Sequence, residues 1–415
     1  MSKKQRILRQ VIWLLVLSLV CSISGLAVDA ATVEVSQEIE TKIEAYRRFA
    51  EYRYGIELPK PEAFAFLITV LDVEFNEDLE NVNLLQAVDL AVDAGNLREL
   101  AATYEPARVE KVLSEAGLMP PDDAKETSLQ ALATSLDLQL LPLELLDDID
   151  YTACVTDDVA IYLTGKVLEL NGLYKNDLGK ISDPDIYAKV YQAWDMQALI
   201  EADELREIIN EVLEQGVITG YNVKDLTFDP KFDPELTITY GHSEIVHAIQ
   251  LIGLLQREGL DARVQLEPKS SAFIYLQEWG EPEETPDYQV AQIENGNYIA
   301  YAKEYDISFE FVSVEDKAAF QDIVLQYAKR NQEDMTGLIR HSWWQPLYYS
   351  LTELDDYVEI TNNFIKDGTK MAQTFSLKED SEVVLEALKA LGTEPEAYQF
   401  WVDQPFYNYL IGESQ

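Results

Sequence analysis

The sequence predicts a mainly α protein with a small α+β core, a central buried helix packed on an antiparallel sheet and flanked by helical regions. Three observations lead there. Residues 33–205 place apolar side chains three and four apart, the period of an amphipathic helix. Residues 241–312 alone combine a long apolar helix with strand-like runs. Two of those runs meet at Asn295-Gly296-Asn297, a strong short-range hairpin signal.

Residues 1–30 read as a signal peptide. Lys3, Lys4, Arg6 and Arg9 precede the apolar run "VIWLLVLSLVCSISGLAV", and Val28 and Ala30 suit cleavage after Ala30. The alternative is an uncleaved membrane anchor, since the run approaches the ~20 residues a span needs. Cys21 would suit a lipoprotein, but the bulky Val20 precedes it. The expected location is therefore outside the cell or at its envelope, with membrane contact only through this segment if it is retained.

Residues 31–205 form the helical N-terminal region. Ile39, Ile43, Tyr46 and Phe49 make one stripe, and "MPPDD" breaks the pattern before "ETSLQALATSLDLQLLPLELL". Cys154 lies just before an apolar helix, where a thiol pKa falls and a thiolate nucleophile becomes conceivable. The plainer reading is a small buried hydrophobe. Asp157 and Asp158 would oppose a thiolate.

Residues 206–313 hold the α/β core. The helix spans 245–257 and stops at Gly259, and strands follow near 261–267 and 271–277. The hairpin "YQVAQIENGNYIAYAKEY" and the strand "DISFEFV" complete it. Residues 314–415 read as helical again, clearest in "AAFQDIVLQYAKRN" and "SEVVLEALKALG".

Charge narrows the partners. The 32 Lys and Arg face 75 Asp and Glu, a net charge of −43, and loss of residues 1–30 deepens it. Such a surface repels nucleic acid and anionic lipid, and neither is an expected partner. Forty-seven per cent apolar residues and 23 Tyr exclude a disordered acidic chain. With Cys21 removed only Cys154 remains, which excludes an internal disulfide and a zinc–thiolate cluster.

The segment from Gly241 to Gly280 resembles the transglutaminase-like family of papain-like cysteine hydrolases. Glu244, Ala248, Gly259, Leu260, Ala262 and Arg263 fall at that family's spacings, with Arg257 and Asp261 close to two more. The resemblance puts Glu244 at the nucleophile position, Ser271 at the histidine, and Asp287 at the third triad member. A carboxylate is a poor nucleophile toward amides, and a serine hydroxyl is no general base near neutrality. The resemblance thus implies a cleft that has lost its chemistry. Glu244 also has a plain explanation, since an acid near a helix start, with Ser243 as cap, is favoured.

A shorter stretch resembles one S-layer homology motif: Gly216, Val217, Ile218, Gly220, Tyr221, Phe228 and Pro230 match. It implies attachment to wall polysaccharide, but only one copy is present. His242, Glu244 and His247 could suggest a metal, yet no His-Glu-x-x-His pattern exists, and His247 reads as a satisfied core histidine. Neither metal nor cofactor is expected. "RHSWWQPLYYSL" carries Trp343 and Trp344, aromatic platforms for a sugar or peptide or, more simply, packing.

The expectation is an exported, non-catalytic protein binding a peptide or cell-wall polymer, with His242, Glu244, Trp343 and Trp344 as candidate contacts. The alternatives are an active cysteine hydrolase using Cys154 with His242, His247 or His341, and a wall-anchoring module.

Overall fold

The structure, a computed structural model, describes residues 36–146, 150–327 and 347–413. The expected signal peptide lies outside them. Among the described residues no helix is long and apolar enough to cross a membrane.

The chain divides into two compact units, one holding residues up to 47 and 56–170, the other 48–55 and 171 onward. The first is all helical: α1 Gln37–Tyr54 (its last turns counted with the second unit), α2 Lys60–Leu71, α3 Leu84–Ala94, α4 Arg98–Ala101, α5 Pro106–Glu115, α6 Glu126–Asp137 and α7 Asp157–Leu170. The predicted stripe Ile39, Ile43, Tyr46 and Phe49 is buried. Asn83 and Gln86 close a reciprocal capping box at the start of α3, satisfying two orphan backbone donors. At Gly165 of α7 a Cβ would fall 2.1 Å from the Tyr46 ring, so only glycine lets that ring lie on the helix. The Tyr46 hydroxyl then donates to Glu169 at 2.6 Å.

The second unit is a closed antiparallel barrel. Its elements are β1 Gly179–Lys180, α8 Ile186–Asp195, α9 Asp203–Glu214, β2 Gly220–Asp225, β3 Thr237–His242, α10 Ile245–Glu258, β4 Ala262–Tyr275, β5 Tyr288–Gln292, β6 Tyr298–Phe311, α11 Val314–Tyr327, β7 Leu347–Ser350, β8 Tyr357–Asp367, β9 Lys370–Ser376, α12 Ser381–Ala390, β10 Glu396–Asp403 and α13 Gln404–Leu410. Eight strands form a ring in the order β4-β2-β9-β8-β10-β7-β3-β6, and β6 pairs back to β4. The β4–β6 ladder is longest, running from Ala262↔Phe311 to Tyr275↔Tyr298. Strands β1 and β5 lie outside the ring, against β4 and β6.

This overturns the small α+β core flanked by helical regions. Residues 314–413, expected to be helical, supply four of the eight ring strands. The two strands expected near 261–267 and 271–277 are one continuous β4, and "DISFEFV" continues the hairpin strand β6. The predicted helix 245–257 and the turn at 293–297 are present.

The ring turns its apolar residues outward. Ile238, Tyr240, Val264, Leu266, Ile307, Phe309 and Phe311 pack beneath α8, α10 and α11. Tyr221, Val223, Ala272, Ile365 and Ala372 pack beneath α9 and α12. Alternate residues on the same strands therefore face inward, and these are polar or charged on β2, on β4 from Arg263 to Ser271 and on β6 from Glu304 to Glu310. The inward face of β7, β8 and β10 is mostly apolar instead, with Leu347, Ile360, Phe400 and Val402 gathered against Phe406 of α13 and Asn362 of β8 a polar exception.

Candidate functional site

Inside the barrel the period-two alternation of β2, β4 and β6 stacks charged residues in layers. At one end Lys175 donates to both oxygens of Glu310 at 2.7 and 2.9 Å. Arg263 bonds Asp177 at 2.9 Å and lies 3.7 Å from Glu310. Asp233 accepts from Arg48, and its backbone N–H donates to Glu310 at 2.7 Å.

The middle layer is a buried chain of alternating charges. Lys224 lies 2.5 Å from Asp306 and 3.5 Å from Glu267. The other Asp306 oxygen accepts from Lys269 at 2.7 Å. Ser308 donates to Glu267 at 3.1 Å, and Tyr349 reaches Asp306 at 3.4 Å. Burial raises the Asp306 carboxyl, but Lys224 and Lys269 outweigh it and hold it below the usual range. Burial pushes Glu267 up to about 7; Lys224 opposes that rise and Asp306 adds to it. For Lys224 burial disfavours the charge, and Asp306 and Glu267 reverse this and hold it well above its ordinary value. Gly241 makes room here: a Cβ would lie 2.6 Å from Asp306 and 2.8 Å from Lys269.

Above this layer opens a cavity of about 140 Å³. Its floor is Lys269, Ser271, Glu304, Asn222 and Gln373. Ser271 donates to Glu304, and Lys269 lies 3.7 Å from the same carboxylate. Asn222 and Ser271 face each other across β2 and β4. Gln373 donates to Asn222 at 2.9 Å and accepts from Asn362 at 2.8 Å, giving a row of carboxamides along the wall. Phe375, two residues from Gln373 on the same face of β9, continues the wall into an apolar patch with Phe406, Tyr409 and Leu410. Thr219 and Tyr409 are exposed, so the cavity reaches the surface.

The three triad-like positions do not come together. Ser271 faces the cavity. Glu244 sits exposed at the residue before α10, makes no side-chain cap, and accepts through its carbonyl from Tyr305 at 3.0 Å. Ser243 is not the expected cap, because α10 begins at Ile245 and the cap position falls on Glu244. Asp287 is exposed before β5, 3.5 Å from Lys303, which lies over the Trp194 ring on the outer face.

His242 ends β3 on the outer face and is buried against His247 of α10. Their ring nitrogens approach to 2.9 Å, and His242 Nδ1 accepts from the Glu244 N–H at 2.8 Å. Burial, with His247 and Lys269 nearby, pushes His242 down to about 3, and burial lowers His247. Both shifts favour the neutral imidazole. Among the described residues no three His, Cys, Asp or Glu side chains gather as a metal site. Cys154 is an exposed free thiol of the helical unit, its sulfur 3.7 Å from Asn81 Oδ1, rather than a buried hydrophobe. His242 and His247 belong to the barrel unit. His341, Trp343 and Trp344 lie outside the described residues.

Sequence reasoning missed Lys224, Glu267, Lys269, Glu304, Asp306, Asn222 and Gln373. For the residues on β4 and β6 the signal was present as alternation in "EYDISFEF" and "ARVQLEPKS", but a polar face on a strand reads as a solvated one. The helical unit also has a groove of about 740 Å³ beside Val109, Leu113 and Met119, whose polar residues Glu110, Ser114 and Glu126 are all exposed. It has no buried polar anchor to orient a ligand.

The floor pairs its groups with one another, and no described imidazole shares the face of Ser271. The arrangement suits holding a small molecule by hydrogen bonds and ring contact. Comparison with family models, curated proteins and solved structures gives no match.

Proposed function

We propose that the protein is an exported, non-catalytic binding protein whose barrel cavity holds the end group of a peptide or cell-wall polymer. One observation carries this reading: a cavity of about 140 Å³ with a charged and carboxamide floor, a ring-lined wall and a path to the surface. Binding sites commonly combine apolar walls with a few fixed polar groups. The floor is held by a buried ion network, so a ligand meets pre-organised partners and little ordering cost remains. Export rests on the N-terminal pattern of basic, apolar and small residues, and the charge of −43 disfavours nucleic acid and anionic lipid.

The test uses the chain without residues 1–30, incubated with a peptidoglycan digest and with a mixed tripeptide pool. The wild type should retain material from one of them, and Leu410→Trp, which fills the rim, should retain at least tenfold less. Equal retention by both proteins refutes the cavity as the binding site.

A further inference from the structure

We propose that the group held in the barrel cavity is a neutral polyol ring, a single sugar unit, rather than a charged peptide terminus. This rests on the binding reading above and narrows it to one ligand chemistry.

The floor selects against net charge. Lys269 Nζ and Glu304 Oε2 lie 3.7 Å apart and both line the cavity. A ligand carboxylate placed on Lys269 meets Glu304 at close range. A ligand ammonium placed on Glu304 meets Lys269. Behind them Asp306 and Lys224 repeat the same alternation, so neither sign finds a one-sided field. A free peptide end carries at least one such charge at neutral pH.

The floor selects for hydroxyls. Lys269 only donates, the Glu304 carboxylate only accepts, and the Asn222 and Gln373 carboxamides do both. A hydroxyl is donor and acceptor at once, so adjacent hydroxyls on one ring can satisfy such a mixed row. Beside the carboxamides the cavity offers flat rings for the C–H face of the same sugar, with Phe375 and Phe406 6.1 Å apart and nearly perpendicular. The space admits the ring itself: a closed apolar cavity of ~150 Å³ holds benzene, and this one, of about 140 Å³, opens to the surface, where the substituents of a sugar can extend.

The experiment compares methyl α-glucoside, N-acetylglucosamine and the dipeptide Ala-Ala by calorimetry and saturation-transfer NMR on the chain without residues 1–30. At least one sugar should bind at least tenfold more tightly than Ala-Ala. Asn222→Ala and Gln373→Ala should each weaken that sugar at least tenfold. Should either variant fail to fold, cyclohexanol on the wild type replaces it: a ring with one hydroxyl should bind at least tenfold more weakly than the sugar. Ala-Ala binding as tightly as the sugars, or cyclohexanol matching them, overturns the sugar assignment while leaving the cavity as a binding site. Binding of none of the four probes removes the cavity reading itself, and this inference with it.

Discussion

Two buried groups on opposite faces of the barrel wall should make its stability respond to pH in opposite directions. His242 has an ordinary pKa of 6.5 and a folded value of about 3. The unfolded chain binds the extra proton first, so stability is lost as pH falls below 6.5 toward 3. From pH 7 to pH 4.5 the linkage integral is about 2.5 kcal/mol. Glu267 has an ordinary value of 4.5 and a folded value of about 7. Here the folded state holds the proton more tightly, so stability is gained as pH falls from 7 toward 4.5, again by about 2.5 kcal/mol. In the wild type the two nearly cancel. His242→Gln should therefore gain stability on acidification relative to wild type, and Glu267→Gln should lose it, each by about 2.5 kcal/mol. Urea titrations of all three proteins at pH 7.0, 6.0, 5.0 and 4.5 give these differences directly. Parallel curves for wild type and both variants would refute the assignment of a neutral His242 and a protonatable Glu267. Two variants shifted in the same direction would refute the sign argument.

Other perturbations test the packing. Asp306→Ala leaves Lys224 and Lys269 buried without their shared carboxylate, and should cost about 3–5 kcal/mol or prevent folding, read by thermal melting. Gly165→Ala drives a Cβ into the Tyr46 ring and should cost at least about 1–3 kcal/mol in the melting of the helical unit. A thiol reagent should label Cys154 quickly in the native protein, because the sulfur is exposed; labelling only after unfolding would contradict its placement.

Local patterns were legible where neighbours along the chain decide the conformation. The stripe from Ile39 to Phe49, the helix stopped by Gly259 in a left-handed conformation, and the turn around Gly296 all follow from spacing and backbone preference. The hairpin of β8 and β9 also left a mark that the helical reading of 314–415 passed over. Asp367-Gly368 sits between two strand-like runs, and Gly368 has a φ of +54°. "YVEITNNFIKD" mixes polar residues into both faces, so its alternation is faint in the sequence. Asn363, on its outward face, is satisfied by Ser376 and Ser381 rather than by solvent.

The sequence by itself determined which residues are apolar and polar along β4 and β6, the helical character of the first unit, and the strongly acidic charge. Only the tertiary structure decided what the polar faces are for. An alternating strand fixes that two faces differ, but ring closure depends on ladders between residues far apart in the chain, such as Ala262 with Phe311 and Thr239 with Tyr349. Once the ring closes under its helices, the polar side becomes an enclosed interior. The charges that would have been solvated must pair with one another, and that necessity makes the site.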